Sequence, residues 1–454
     1  MAVEIINPWS GRVEYRYDYM GPEAIERRLA AAQAGARAWQ ATPLEERVRR
    51  VQAFAEGLRR ERERLGATMT AEMGKLAREA QAEIEKSARA FEHYAAHGPA
   101  LLADVPVASE ARRSLVRFAP IGCVLAVMPW NFPVWQVVRF LAPALVAGNT
   151  CLLKHATTVP RCADLLEEIG RAAGLPEGVF GVVHIDNAQT AQVIADPRIR
   201  AVTLTGSERA GRAVAANAGQ HLKKCVLELG GSDPFLVLED ADLARAVEVA
   251  VASRFGNAGQ TCIAAKRFIP VGRMAGPFLE ALEAAVRALA PGDPLDPQTT
   301  LAPMARADLR DGLHDQVLRS VAGGARVLAG GAPVPGHACA YPATVLQVPD
   351  VDNVAFREEL FGPVAAVLPA RDEEDAVRIA NASSFGLGAT VFGADRARAE
   401  ALGRRLEVGS VFVNSLVRSD VRLPFGGTKQ SGFGRELAAW GMHEFMNIQT
   451  VWVE

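Results

Sequence analysis

Two hydrophobic rhythms divide the chain. Between residues 22 and 98, apolar side chains recur about every 3.6 positions: Leu29, Ala32, Ala36 and Trp39, then Val48, Val51, Phe54 and Leu58, with Arg and Glu opposite. That spacing predicts amphipathic helices, and the charged run 59–64 reads as a solvated helix face. Residues 108–118 alternate only weakly and carry Arg112, Arg113 and Arg117, which predicts an exposed or interface strand. From Gly122 the pattern changes to short apolar runs bounded by turns. Residues 123–128, 150–154, 179–184 and 201–205 read as buried strands, with a helix through Leu165, Leu166 and Ile169. Strands alternating with helices predict a doubly wound α/β fold on a parallel sheet. Ligands of such sheets bind beyond the carboxyl ends of the strands, where Asn131, Lys154 and Thr205-Gly206-Ser207 fall.

A second α/β block starts at residues 235–238 and continues through a helix over 243–255, a loop over 256–262 and a strand over 267–271. It runs on to a strand at 411–414. The tail, 447–453, is β-prone and has no obvious partner in either block. An exposed edge strand invites pairing with another chain, so the tail reads as an oligomerisation strand. No internal repeat is evident.

Size and composition narrow the classes. A chain of 454 residues exceeds one ordinary core and predicts two or three domains. Apolar residues at 49% and charged residues at 22% fit a soluble α/β protein. The net charge of −2, without a basic cluster, argues against a nucleic-acid partner. The N-terminal residues show no signal-peptide pattern, and no run of about 18 apolar residues suggests a membrane partner. The six cysteines (Cys123, Cys151, Cys162, Cys225, Cys262 and Cys339) are scattered, with no metal-binding spacing, which predicts no metal site and a reducing, cytoplasmic setting.

One cysteine has unusual company. Gly256-Asn257-Ala258-Gly259-Gln260-Thr261 delivers Cys262 on residues that pack poorly in a core. Gly259 lets the backbone approach a ligand closely, and a thiolate is the strongest nucleophile available. Glu228 lies in Val-Leu-Glu-Leu-Gly-Gly; a carboxylate there loses hydration, which raises its pKa and suits it to general-base work. Asn131, between Trp130 and Phe132-Pro133, can donate to an oxyanion, and one such donor contributes about 2.7–4 kcal/mol in other enzymes. Lys154 and a helix opening at Gly206-Ser207 suit a dinucleotide, although no G-x-G-x-x-G stands there. Glu359 can accept from ribose hydroxyls, and Phe361 offers a flat apolar wall.

The ordered motifs Pro-Trp-Asn-Phe-Pro, Glu-Leu-Gly-Gly, Gly-Gln-Thr-Cys, Glu-Glu-Leu-Phe-Gly-Pro and Pro-Phe-Gly-Gly-Thr-Lys-Gln-Ser-Gly resemble the NAD(P)-dependent aldehyde dehydrogenase superfamily over nearly the whole chain. Leu-Leu-Lys-His-Ala (152–156), residues 223–235 and residues 443–452 are similar to its bacterial succinate-semialdehyde branch. The resemblance implies that Cys262 is the nucleophile, Asn131 with the Cys262 N–H the oxyanion site, and Glu228 the base that activates water. It implies NAD or NADP as cofactor, held by Trp130, Lys154, Gly206, Ser207, Glu359 and Phe361. It also implies a dinucleotide-binding domain over 1–103 and 121–229, a catalytic domain over 230–424, and oligomerisation strands over 104–120 and 440–454 of a homodimer or homotetramer.

For the substrate, Arg139 matches an arginine with which succinate-semialdehyde enzymes grip a carboxylate, and Ser419 matches a substrate-binding serine. Gly256 stands where some members carry a further arginine, for which Arg418 or Arg422 could substitute. Many NAD-selective members carry Glu where this chain has Thr157; with Arg209 nearby, acceptance of NADP alongside NAD is expected. The alternatives are a dehydrogenase for another small aliphatic or aromatic aldehyde, a CoA-acylating enzyme, against which Glu228 argues, and a catalytically silent binding relative.

Overall fold

Four helices, Pro22–Ala41, Leu44–Arg60, Arg62–Met73 and Ala77–Leu101, fill the stretch where the helical rhythm runs. They belong to a computed structural model that describes residues 2–454. The first helix parts from the other three at the sheet they cover. Its six strands run in the order Gly432–Phe433, Lys224–Glu228, Ile199–Thr205, Cys123–Met128, Thr150–His155, Phe180–Val182. All pairs are parallel except the one made by Gly432–Phe433. Leu29 and Ala32 of the first helix, with Val193, Ile194, Val214 and Ala218, cover one face. Phe54, Phe91, Leu141 and Leu166 cover the other. Both faces are thus sealed by helices, as an all-parallel sheet requires.

Cys123–Met128 lies between Thr150–His155 and Ile199–Thr205, so the chain leaves it first to one side and later to the other. A crevice opens at such a reversal, outside the carboxyl ends of the two diverging strands. Those ends here are Met128, followed by Pro129-Trp130-Asn131, and Thr205, followed by Gly206-Ser207.

The second sheet has seven strands: Arg326–Ala329, Thr344–Gln347, Val364–Val367, Ala265–Pro270, Asp233–Val237, Gly388–Phe392 and Ser410–Val413, with only the first antiparallel. Every residue of Asp233–Val237 and Ala265–Pro270 is buried. The chain then returns to the first sheet, where Gly432 pairs with Glu228 and Leu229 N donates to Ser431 O at 3.0 Å.

The tail forms a strand whose partner lies within the chain. Met446–Val453 is paired antiparallel with Arg113–Pro120 along its whole length, and Val105–Pro106 completes a separate three-stranded sheet. The partner is the exposed strand foreseen near 108–118, outside both blocks. Its far edge still presents Ile448, Trp452 and Val453. No helix of the described residues is long and apolar enough to cross a membrane.

The first helix rests backbone to backbone on the turn that leads into Phe180–Val182. Gly178 there has φ +80°, and a Cβ on it would lie 1.9 Å from Ala31 O. Gly178→Ala combines a left-handed alanine, costing about 1–2 kcal/mol, with overpacking that costs about 1–3 kcal/mol. The thermal midpoint is therefore expected to fall by at least about 2 °C; an unchanged midpoint in scanning calorimetry would show that this contact is not tight.

Candidate active site

The nucleophile candidate is set by an unusual arc of backbone. Helix Leu243–Phe255, capped by the Asp242 carboxylate on Arg245 N–H, ends at Gly256. Asn257 and Ala258 then adopt φ 54° and 53°, and Gly259 follows at 69°. Left-handed non-glycine residues are held only where the surroundings impose them. Here Asn257 N–H donates to Glu79 Oε1 at 2.9 Å and its Nδ2 to Asn131 O at 2.9 Å. Gln260 Oε1 accepts from Ala305 N at 2.9 Å. Arg254, fully buried, donates to Gly259 O at 2.6 Å and Gly362 O at 2.7 Å. Lys266, also fully buried, donates to Thr261 O at 2.9 Å and Cys262 O at 2.7 Å and lies 3.2 Å from Glu359 Oε1.

The Pro-Trp-Asn-Phe-Pro turn is fixed by a second buried pair. Lys75 is paired with Glu83 and donates to Asn131 O at 2.9 Å. Glu83 Oε1 accepts from Val134 and Trp135 N–H, both at 2.9 Å, at the start of helix Trp135–Ala147. A carboxylate at that end also meets the positive pole of the helix. Asn131 itself is 4% exposed; Nδ2 donates to Gln260 O at 2.9 Å, and Oδ1 has no partner. An amide nitrogen carries two hydrogens, so one remains for a ligand.

Cys262 is half-buried and lines a cavity of about 250 Å³ together with Trp130, Asn131, Gly206, Ser207, Glu359 and Phe361. Burial pushes its thiol up to about 11, while the Arg139 and Lys266 charges pull the other way. Glu228 is 2% exposed and stands outside that lining, on the strand whose next residues, Leu229 and Gly230, do line it. Neither of its carboxylate oxygens has a hydrogen-bond partner. Burial raises its pKa well above the usual range; Arg139 opposes that shift and Glu436 adds to it.

Lys154 lies in a neighbouring cavity of about 220 Å³ with Asn187, Thr190, Arg209 and Asn217. The lysine is only 9% exposed. Ser207 caps helix Glu208–Gln220, accepting from Ala210 N at 3.4 Å. Trp130 and Phe361 meet edge to face at 5.8 Å. A Cβ at Gly230 would fall 2.5 Å from Glu359 Oε2 and 2.2 Å from Glu208 Oε1, an oxygen that has no partner. A bare glycine beside an orphaned acceptor, a little-exposed lysine and a free helix N-terminus suit the phosphates and hydroxyls of a dinucleotide.

Arg139, matched above to a carboxylate-gripping arginine, stands beside a buried acid. It is 2% exposed, ion-paired with Glu436, bonded to Thr205 Oγ1 at 3.1 Å and stacked over Phe425. Its charge is spent on a buried carboxylate, so it is not a free anchor. Ser419 does line a cavity, of about 340 Å³, with Lys75, Lys86, Trp135, Thr261, Ile263 and Arg418 among its walls. Thr261 and Ile263 adjoin Cys262 in the chain, and Cys262 itself lines the cavity beside Glu359. Arg422 is bound to Asp420 on the surface.

Sequence reasoning missed Lys75, Lys86, Arg254 and Lys266. Two of them had a readable signal: Arg254 ends an apolar helix face, and Lys266, with Arg267, interrupts an apolar strand between Ala265 and Phe268. A cation in such a run needs a buried partner. Lys86, on a helix with many charges, carried none.

Three comparisons bear on this architecture. Residues 1–451 match the model of the aldehyde dehydrogenase family. The chain is 49% identical over 447 residues to the succinate semialdehyde dehydrogenase [NAD(P)+] Sad of Escherichia coli (strain K12), covering 98% of this chain and 97% of that one. It is 43% identical to the succinate-semialdehyde dehydrogenase [NADP(+)] 1 of Mycobacterium ulcerans (strain Agy99), covering all of both. The crystal structure of succinic semialdehyde dehydrogenase from Streptococcus pyogenes in complex with NADP+ superimposes with a TM-score of 0.97 at 37% identity, covering 99% of each chain. With its thiol at the strand reversal and its likeness running end to end, the chain belongs to the aldehyde dehydrogenase family.

Proposed function

We propose that this protein oxidises succinate semialdehyde to succinate with NADP or NAD, using Cys262, Asn131 and Glu228. The observation that carries the reading is that Cys262 lines one cavity while its neighbours Thr261 and Ile263 line the next. One has the groups suited to a nucleotide, and the other is lined by cations and Ser419. The relatives named as succinate-semialdehyde dehydrogenases support the substrate assignment. Trp130, Glu359 and Phe361 would hold the nicotinamide half of the cofactor, Gly206 and Ser207 the pyrophosphate, and Lys154 the adenosine half.

The Cys262 thiol gives its proton to water, and the resulting thiolate attacks the aldehyde carbon as the C=O π bond opens onto oxygen. The remaining Asn131 N–H and the Cys262 backbone N–H hold the oxyanion of the thiohemiacetal. Both are fixed before reaction, so stabilising the charge requires no reorganisation. A bound nicotinamide supplies the hydride acceptor that turns this adduct into a thioester. Glu228 then takes a proton from water, the water oxygen adds to the thioester carbon, and the C–S bond breaks to release the acid. A carboxylate raised by burial is a stronger base than an exposed one, which places it nearer the working pH. Because only the ionised form accepts a proton, the hydrolytic step is expected to quicken as pH rises through that raised value.

Thr157 offers no carboxylate to repel a 2′-phosphate, and Arg209 shares the Lys154 cavity. Acceptance of both nucleotides follows. The strand edge at Ile448 and Trp452 supports assembly into a homodimer or homotetramer, and six unpaired cysteines suit the cytoplasm.

Two outcomes are expected. In a panel of aldehydes, kcat/KM for succinate semialdehyde exceeds that for butanal, with NADP at least about one-hundredth as effective as NAD, a margin of about 2.7 kcal/mol. Equal use of both aldehydes would overturn the substrate reading, and a larger bias toward NAD the cofactor reading. Second, Glu228→Gln lowers kcat by about 10²–10⁴-fold yet releases one reduced nucleotide per site in the first turnover. Loss of that burst would remove Glu228 from the hydrolytic step.

A further inference from the structure

With Arg139 committed to Glu436, the remote carboxylate of the substrate needs another cation. Lys86 extends from helix Ala77–Leu101 into the cavity that Thr261 and Ile263 join to the nucleophile. Its ammonium lies 2.8 Å from Ser419 Oγ and 4.0 Å above the Trp135 ring. No carboxylate of the described residues pairs with it. The other charges around this cavity are largely engaged. Lys75 is paired with Glu83 and Asp420 is gripped by Arg422, while Glu79 accepts the Asn257 N–H through Oε1 and leaves Oε2 without a partner. Arg418 lines the same cavity from the far segment.

We propose that Lys86, together with Ser419, is the specificity-determining anchor for the substrate's remote carboxylate. The proposal rests on the substrate reading above. An ammonium has three hydrogens; one goes to Ser419 and the ring face faces another, which leaves a donor for a ligand. Because Ser419 accepts from Lys86, its own O–H is free to donate. A carboxylate placed there receives two hydrogen bonds, one of them from a charged donor, and such bonds are about twice as strong as neutral ones. Trp135 holds the ammonium from the side without competing for a hydrogen bond. The cation lines a cavity walled by both chain neighbours of the nucleophile, which favours an aldehyde whose other end is an anion.

The anchor is also sensitive to pH. Burial, reinforced by Arg139 and Arg418 and opposed by Glu83 and Asp420, pulls Lys86 down to about 8. The charged form dominates below that value and is lost above it. KM for succinate semialdehyde is therefore expected to climb as pH passes 8, relative to KM for butanal, which has no carboxylate.

The test is a paired assay of Lys86→Met, Lys86→Arg and wild type on succinate semialdehyde and butanal. Lys86→Met is expected to raise KM for succinate semialdehyde about 10–100-fold, with KM and kcat for butanal within about threefold of wild type and Lys86→Arg recovering most of the loss. Butanal turnover reports that the variant is folded. A similar KM rise for both aldehydes, or none for either, would overturn the proposal; so would a flat pH dependence of the wild-type KM ratio, which needs no variant. Absence of any wild-type preference for the charged aldehyde would instead defeat the substrate reading. A wild-type preference that persists in Lys86→Met would defeat the anchor alone.

Discussion

Cations out of reach of water grip the carbonyls of the cysteine loop, and the remaining geometry of the site depends on that grip. Asn257, Ala258 and Gly259 turn left-handed in succession, which points their peptide groups inward. Arg254 and Lys266 collect four of the carbonyls around them, and Lys75 collects that of Asn131. An unpaired buried carbonyl would cost about 1–3 kcal/mol, and a bare buried cation more. Each fault corrects the other. Removing one cation would leave several acceptors unsatisfied at once, so the loop has few alternative positions.

The same cations place charge around the thiol without touching it. Arg139 and Lys266 favour the thiolate, burial disfavours it, and burial wins, leaving the sulfur protonated at neutral pH. Glu228 is likewise held protonated more readily than an exposed carboxyl. A thiol that rests protonated keeps the reactive sulfur quiet. Arg139 is central here. It faces both groups, and its pairing with Glu436 ties the helix after Asn131 to the segment that returns over Glu228.

Much of this was legible in the chain because it is local. Strand Cys123–Met128 and helix Leu243–Phe255 follow from uninterrupted apolar runs and their bounding turns. The tail was not, because its partner strand lies at Arg113–Pro120 and antiparallel pairing across such a separation leaves no local mark. Arg139 was located correctly along the chain, but its partner Glu436 is remote in sequence, so the arginine looked free. Lys86 looked like one more solvated charge until Ser419 and Trp135 were seen beside it. Motifs carried the chemistry; the partners that decide which charges are available came only with the fold.

The grip on the cysteine loop is tested most directly at Gly259. A Cβ there would lie 2.4 Å from Gly362 O and 2.5 Å from Arg254 Nη2, at a backbone φ of 69°. The measurement is single-turnover aldehyde oxidation by Gly259→Ala, alongside nucleotide binding by fluorescence titration. The account expects binding within a few-fold of wild type and a chemical rate lower by about a hundredfold, the scale of a 1 Å misplacement. A rate within twofold of wild type would contradict it.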